Sequence, residues 1–324
     1  MNRIPGAGVD DVPNQEAIHT ENLTMDFGFV RAVDNLSINV RQGRSVGFLG
    51  PNGSGKTTTI KIMTNLLKAT SGKTYLMGVD VRKQPRKALS KIGAIVEVPE
   101  FYPFFTPTET LNYLGKIRGM RAADIRKRSA ELLQMVRLYE CKDNRIGKFS
   151  KGMKQRLNIA QALLHEPELL ILDEPTTGLD PRGMVEVREI LNRLRAENYT
   201  LFMSSHLISE IQETCDSVAM IDNGKLLVYG SVENLSRIAV MNQIEVDLAE
   251  KPSKESLERV ARFKDVKNVR IQSPLKVYID YRGQPNSRNL LLREMLAAGM
   301  NVLSFNPHGL PLESLYMQLV SESR

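Results

Sequence analysis

The segment Gly50-Pro51-Asn52-Gly53-Ser54-Gly55-Lys56-Thr57 constrains this chain more tightly than anything else in it. It fills the spacing G-x-x-x-x-G-K-[ST], with the apolar run SVGFLG leading in and a helical pattern leading out. Each residue type has a physical reason. Gly50, Gly53 and Gly55 let the backbone turn so that successive N–H groups face inward, and the helix starting at Gly55 or Lys56 adds its dipole. Polyphosphate is what such a nest binds. Lys56 is placed to reach β- and γ-phosphates, Thr57 to put its hydroxyl on Mg²⁺, and Thr58 to meet the α-phosphate.

Around this loop the chain alternates strands and helices. Residues 1 to about 17 carry Pro, Gly, Asp and Asn without a hydrophobic period, which predicts a mobile tail, with the ordered domain beginning near Ile18. Leu36, Ile38 and Val40 alternate with polar residues, a turn follows at Arg41–Arg44, and the helix after the loop is expected to run to about Leu67. The run IGAIVEV precedes a Pro- and aromatic-rich loop, VPEFYPFFTPTET, and a mainly helical stretch from about Pro107 to Tyr139. LLILDEP, LFMSSH, SVAMIDNG and KLLVYG then read as strands, with helices around Arg182–Asn198 and Leu207–Cys215. This alternation implies a buried, largely parallel sheet with an antiparallel part at each end of the domain. After Gly230 the order becomes βαββαβ: QIEVDLA, a helix capped at Ser253, VKNVRIQ, LKVYIDY, the helix SRNLLLREMLAAG and the strand NVLSF. LPLESLYMQLV closes this small ferredoxin-like module as a helix.

LLILDEPTTGLD is a buried strand that ends in Asp173 and Glu174, and the carboxyl edge of an open α/β sheet is where ligands bind. Alone, the two acids could simply begin a loop. In company with the phosphate loop, Asp173 is expected to hold Mg²⁺ through water and Glu174 to polarise a water beside the γ-phosphate. Just upstream, Ser150 reads as an N-cap for a helix over 151–164, with Leu157, Ala160, Leu163 and Leu164 on its apolar face. A serine hydroxyl, the Gly152 N–H and a helix dipole make a second anion site.

Phe149-Ser150-Lys151-Gly152-Met153 resembles the signature motif of ATP-binding cassette (ABC) proteins, usually LSGGQ, in a form similar to drug- and antibiotic-export cassettes. The resemblance covers about residues 18–230. It implies a P-loop NTPase cassette of α/β class, with a RecA-like core, an antiparallel β part and a helical subdomain over about residues 100–165. A small α+β accessory domain, ferredoxin-like, follows at 231–324. The resemblance further implies ATP hydrolysis with ATP and Mg²⁺ and a homodimer in which Ser150, Lys151, Gly152 and Met153 of one copy face the ATP of the other. Gly178-Leu179-Asp180 matches the D-loop, with Asp180 signalling across that interface, and His206 matches the switch histidine at the γ-phosphate. Phe27 falls where the family stacks an aromatic on adenine; a core phenylalanine is the competing explanation. Where the family has glutamine this chain has Glu97, a carboxylate that can ligate Mg²⁺ while adding negative charge near the γ-phosphate.

Composition bounds the setting. No stretch reaches the about 18 apolar residues of a membrane span and no secretory signal opens the chain, so a cytoplasmic protein is expected, peripheral on the inner face of the cell membrane. The resemblance implies a membrane permease, which would be a separate chain, received at the aromatics Phe101, Tyr102, Phe104 and Phe105, which could equally be core. Cys141 and Cys215 lack CxxC neighbours and read as buried hydrophobes. His19, His165 and His308 read as structural. The net charge of +7 comes with basic clusters, Arg82–Lys87 and Arg118–Arg128, that lack interleaved aromatics; they read as solvated helix faces, with anionic lipid as the sharper alternative. Nucleic acid is not expected. The other function considered, a soluble ABC ATPase acting on DNA or ribosomes, usually needs tandem cassettes or a long coiled-coil insertion, and the interval from Lys56 to Ser150 has no room for one.

Overall fold

A computed structural model describes residues 16–97, 100–235, 243–281 and 287–307, with Leu312 and residues 315–316 and 319–320. Most of the expected tail, His308 and much of the expected closing helix lie outside the described residues. Glu16 and Ala17, assigned to the tail by sequence, already belong to the first strand: Glu16 pairs with Arg41, and the carbonyl of the buried Ala17 accepts from the Met77 amide. The chain divides into two compact units, one ending at Tyr229 and one beginning at Gly230.

The first unit contains two sheets. β1 (Glu16–Phe27), β2 (Val30–Leu36), β3 (Asn39–Arg41), β5 (Ser71–Leu76) and β6 (Val79–Asp80) form an antiparallel sheet in the order β2-β1-β5-β6, with β3 also paired to β1. β4 (Ser45–Leu49), β7 (Ile92–Ile95), β8 (Leu169–Leu172), β9 (Thr200–Ser205), β10 (Ser217–Asp222) and β11 (Lys225–Ser231) form the second, in the order β11-β10-β4-β9-β8-β7. Its pairs from β10 to β7 are parallel, and β4, β8 and β9 are buried at every residue. A strand covered on both faces needs apolar side chains on both, which is why these segments read as continuous runs and not as alternations. Leu49 lies opposite Ser205 and Leu172 opposite Met203, so three neighbouring strands end together.

The helices of this unit are α1 (Lys56–Met63), α2 (Pro85–Leu89), α3 (Pro107–Ile117), α4 (Ala122–Met135), α5 (Lys151–Leu163), α6 (Pro181–Ala196) and α7 (Ile208–Thr214). One differs from expectation. α1 stops short of Leu67 because Asn65 turns left-handed (φ 58°) and the amides of Leu66 and Leu67 fold back onto the Lys61 carbonyl. The mainly helical stretch from Pro107 to Tyr139 consists of α3 and α4. Thr106 and Glu109 form a capping box at the start of α3, and Gly119 (φ 74°) breaks the run after Ile117.

Arg156 fastens this region. From α5 its Nη1 donates to the Val136 and Arg137 carbonyls at the end of α4 (2.9 and 3.1 Å), while Nη2 lies 3.3 Å from Glu186 of α6. Burial lowers the pKa of its guanidinium, and Glu186 opposes that shift. Of the two cysteines, Cys215 is buried as expected, its thiol pushed up to about 11 by desolvation, whereas Cys141 is only half-buried because it sits in a surface turn after α4.

In the second unit β12 (Gln243–Leu248), α8 (Lys254–Ala261), β13 (Val266–Ser273), β14 (Lys276–Tyr281), α9 (Arg288–Ala297) and β15 (Val302–Pro307) follow in βαββαβ order. The sheet is antiparallel, in the order β13-β14-β12-β15. Ile244, Val246, Val277, Ile279, Tyr281, Leu291 and Met295 build its core, and the Ser253 hydroxyl caps α8 by accepting from the Ser256 amide at 3.0 Å. Among the described residues no helix is long and apolar enough to cross a membrane.

Arg156→Met keeps the length of the side chain but leaves two carbonyls and Glu186 without their donor. We expect a loss of about 2–3 kcal/mol, read as a lower urea midpoint for the first unit. An unchanged midpoint would remove Arg156 from the account of how α4, α5 and α6 are held.

Candidate functional site

Gly50 leaves the end of β4 and the loop to Gly55 feeds α1. The glycine at position 55 is required by geometry: its φ is 101°, and a Cβ there would collide with the Ala32 carbonyl oxygen of β2. As the N-cap of α1 it offers no side chain, so the first-turn N–H groups are left for a ligand. Ser54 adds a buried hydroxyl with no hydrogen-bond partner. A concave backbone with free donors and an orphaned hydroxyl fits a polyphosphate.

Lys56 is only 5% exposed. Its ammonium donates to the Gly50 and Pro51 carbonyls at 2.8 and 3.1 Å and lies 3.3 Å from Glu174 Oε1. A buried cation must be surrounded by oxygen, and here the loop and the next strand but one supply it. Thr57 and Thr58 follow on the first turn of α1, half-buried.

Asp173 and Glu174 leave the end of β8, beside that loop. Asp173 is buried and accepts from Ser204 Oγ at 2.6 Å, and the same hydroxyl accepts from the Glu174 amide at 2.8 Å. Glu174 has a left-handed backbone (φ 44°), a conformation that a side chain with a Cβ adopts at a cost. Its Oε2 accepts from Thr177 Oγ1 at 2.6 Å and lies 3.1 Å from His206 Nδ1, which follows β9. Burial alone would push the Glu174 carboxyl up; Thr177, Lys56 and His206 outweigh it and hold the group below the usual carboxylate range. Phosphate loop, acidic pair and histidine are thus gathered at one sheet edge. That arrangement can hold a triphosphate against a cation and aim a carboxylate at a water next to it.

Ser150 caps α5, accepting from the Met153 amide at 3.2 Å, and Asp180 caps α6, accepting from the Gly183 amide at 3.2 Å. The two helix starts touch: a Cβ on Gly152 would lie 3.4 Å from Gly183 Cα. Ser150, Lys151 and Asp180 are exposed, Gly152 is buried and Met153 half-buried. Among the described residues no hydrogen bond or ion pair joins Ser150–Met153 to Gly50–Thr58 of the same chain.

Phe27 is 47% exposed at the end of β1, paired with Val30, so the core explanation for it fails. Pro51, Asn52 and Gly53 line the open side of the loop. Glu97 also has positive φ (68°), and its carboxylate pairs with Lys61 of α1 and not with Asp173 or Thr57. Tyr102 and Phe104 are exposed and meet each other and Phe105 in tilted and edge contacts, and Tyr113 meets Tyr102 and Phe105 edge-on, so these aromatics form a surface cluster. His165 is structural, as expected: its Nε2 lies 3.0 Å from the Ile92 carbonyl oxygen and burial lowers its pKa to about 4.

Three contributors went unread in the sequence. Ser204 bridges both acids, Thr177 holds Glu174, and the buried Glu210 of α7 accepts from both Thr176 and Ser205. The signal for the serines was present: two hydroxyls ending the otherwise apolar run LFMSS need partners inside the protein.

Comparison with known proteins adds the family. The model of the family described as "ABC transporter" matches residues 33–177. The bacitracin transport ATP-binding protein BcrA of Bacillus licheniformis is 40% identical over 308 residues, covering 94% of this chain and 97% of that protein. The linearmycin resistance ATP-binding protein LnrL of Bacillus subtilis (strain 168) is 33% identical over 309 residues, covering 94% and 99%. Among solved structures, the ATP-binding subunit of an ABC transporter superposes with a TM-score of 0.62 at 29% identity, covering 68% of this chain and 92% of that one. A dimeric bacterial ABC transporter cassette gives 0.60 at 25% identity, covering 66% and 98%.

Gly55→Ala tests the loop directly, because the added methyl meets backbone and cannot be absorbed by a side-chain rotation. We expect ATP affinity to fall by at least about tenfold, or about 1.4 kcal/mol, in an equilibrium binding titration. Retained affinity would show that the loop is not held as described.

Proposed function

This chain belongs to the ABC transporter family as an ATP-binding subunit that hydrolyses ATP to power transport, and from that premise we propose how its residues divide the work. Gly50 to Thr58 cradle the triphosphate, with Lys56 on the β- and γ-phosphates. Phe27 stacks on adenine. Glu174 orients and polarises the attacking water, and His206 contacts the γ-phosphate. The observation that carries this reading is the cluster of Lys56, Glu174 and His206 at the ends of three adjacent strands.

Mg²⁺ suits the donors present. It prefers hard oxygen ligands, commonly one or two carboxylates beside the substrate's phosphates. Thr57 and Asp173 would hold it, with Glu97 joining after release from Lys61. When bound, it neutralises charge on the phosphate oxygens.

Two copies then close around two ATP molecules. Ser150, Lys151, Gly152 and Met153 of each cap the nucleotide on the other, and Asp180 carries the state of one site to its neighbour. Support comes from the likeness to a dimeric cassette. The driven partner is an integral membrane permease on a separate chain, received at the exposed cluster of Tyr102 and Phe104, which places this protein peripherally on the inner face of the cell membrane. The relatives named for bacitracin and linearmycin support export of an antibiotic-like compound. Residues 231–324 serve as an accessory domain that supports the dimer or its regulation.

Glu174→Gln should bind ATP, lose at least about 100-fold in turnover and accumulate as an ATP-dependent dimer on size exclusion. Wild-type turnover would overturn the assignment of Glu174. Glu97→Gln should shift the Mg²⁺ dependence of ATPase activity, and superimposable Mg²⁺ curves would remove Glu97 from the metal site.

A further inference from the structure

We propose that Ser204 is the positioning residue of the acidic pair. Its hydroxyl sets the carboxylate of Asp173 and the backbone of Glu174 together, so that the geometry of both acids is dictated by β9. This inference rests on the catalytic reading of Glu174 and deepens it.

Ser204 is 0% exposed, on a strand whose neighbours in sequence and across the sheet are mostly apolar. A hydroxyl in that setting is costly unless both its donor and its acceptor functions are used. Both are, and their polarity leaves no freedom. The Glu174 N–H can only donate, to Ser204 Oγ at 2.8 Å, so the hydroxyl hydrogen must point elsewhere; it goes to Asp173 Oδ1 at 2.6 Å. One group therefore fixes a carboxylate orientation and a backbone amide in consecutive residues.

The amide matters because Glu174 is left-handed at φ 44°. Chirality disfavours that conformation for a residue with a Cβ, so something outside the residue must hold it. Ser204 holds its N–H. In this conformation the Glu174 side chain meets Lys56, Thr177 and His206. Of these, Lys56 and His206 must also serve a triphosphate on the proposed reading, whereas the Ser204 contact is made with the Glu174 backbone.

A merely structural serine would behave differently. Removing it would lower stability and leave the turnover of the folded protein intact. For Ser204→Ala in the full-length chain we expect turnover per folded molecule to fall about 10–100-fold, with the ATP dissociation constant at saturating Mg²⁺ changed by less than about threefold and the midpoint of thermal unfolding lowered, because the Asp173 carboxylate and the Glu174 amide lose their partner. The half-saturating Mg²⁺ concentration for nucleotide binding should rise, a readout independent of hydrolysis. Ser204→Cys keeps the volume with a weaker donor and should give an intermediate loss of turnover; it serves if the alanine variant folds poorly. Turnover per folded molecule equal to wild type in either variant overturns the proposal. Glu174→Gln measured alongside separates the two levels: an inactive Glu174→Gln with a fully active Ser204→Ala sinks Ser204 alone, whereas a fully active Glu174→Gln sinks the catalytic reading beneath it.

Discussion

A lysine with 5% exposure, sitting at the start of a helix, is the constraint on which the site depends. Its charge cannot be left bare in a medium of low polarity, and the chain answers by turning two loop carbonyls and the Glu174 carboxylate toward it. That single requirement closes the phosphate loop over itself and binds the end of β4 to the end of β8. The oxygens Lys56 collects are the kind a triphosphate presents.

The second anion site is joined to the first by a short piece of chain. Between Glu174 and Asp180 the loop is tied at both ends: Thr177 bonds Glu174, Thr176 bonds the buried Glu210, and Asp180 caps α6. Gly183 of α6 then meets Gly152 of α5, next to the Ser150 cap. A continuous chain of contacts therefore runs from Glu174 to the start of α5, and Arg156 extends it to the end of α4.

The parts legible in the sequence were those where spacing alone encodes geometry. The glycines around Lys56, the apolar run ending in Asp173-Glu174 and the Ser150 cap are local patterns, and each fixes a loop or a helix end without reference to the rest of the chain. The parts that stayed hidden depend on which strands are neighbours. Ser204 reads as an unremarkable serine until β9 is set between β4 and β8, and Glu210 reads as a helix-surface acid until α7 turns it toward Thr176 and Ser205. The end of α1 was missed for a similar reason: at Asn65 the stop comes from a left-handed residue whose neighbours, taken singly, are acceptable in a helix. Glu97 shows the limit of a motif position. Its place in the pattern is clear, but its partner Lys61 is set by the fold of α1.

Charge and position are handled separately at Glu174. Burial pushes its carboxyl up, and the groups that bring it down again are the Thr177 hydroxyl, Lys56 and His206. On the proposed reading Lys56 and His206 turn to the γ-phosphate when ATP binds. A carboxylate positioned only by ion pairs would drift as those pairs are reassigned. Glu174 is positioned instead through its amide and its strained backbone, by a hydroxyl that no phosphate competes for, so its basicity can change while its aim does not.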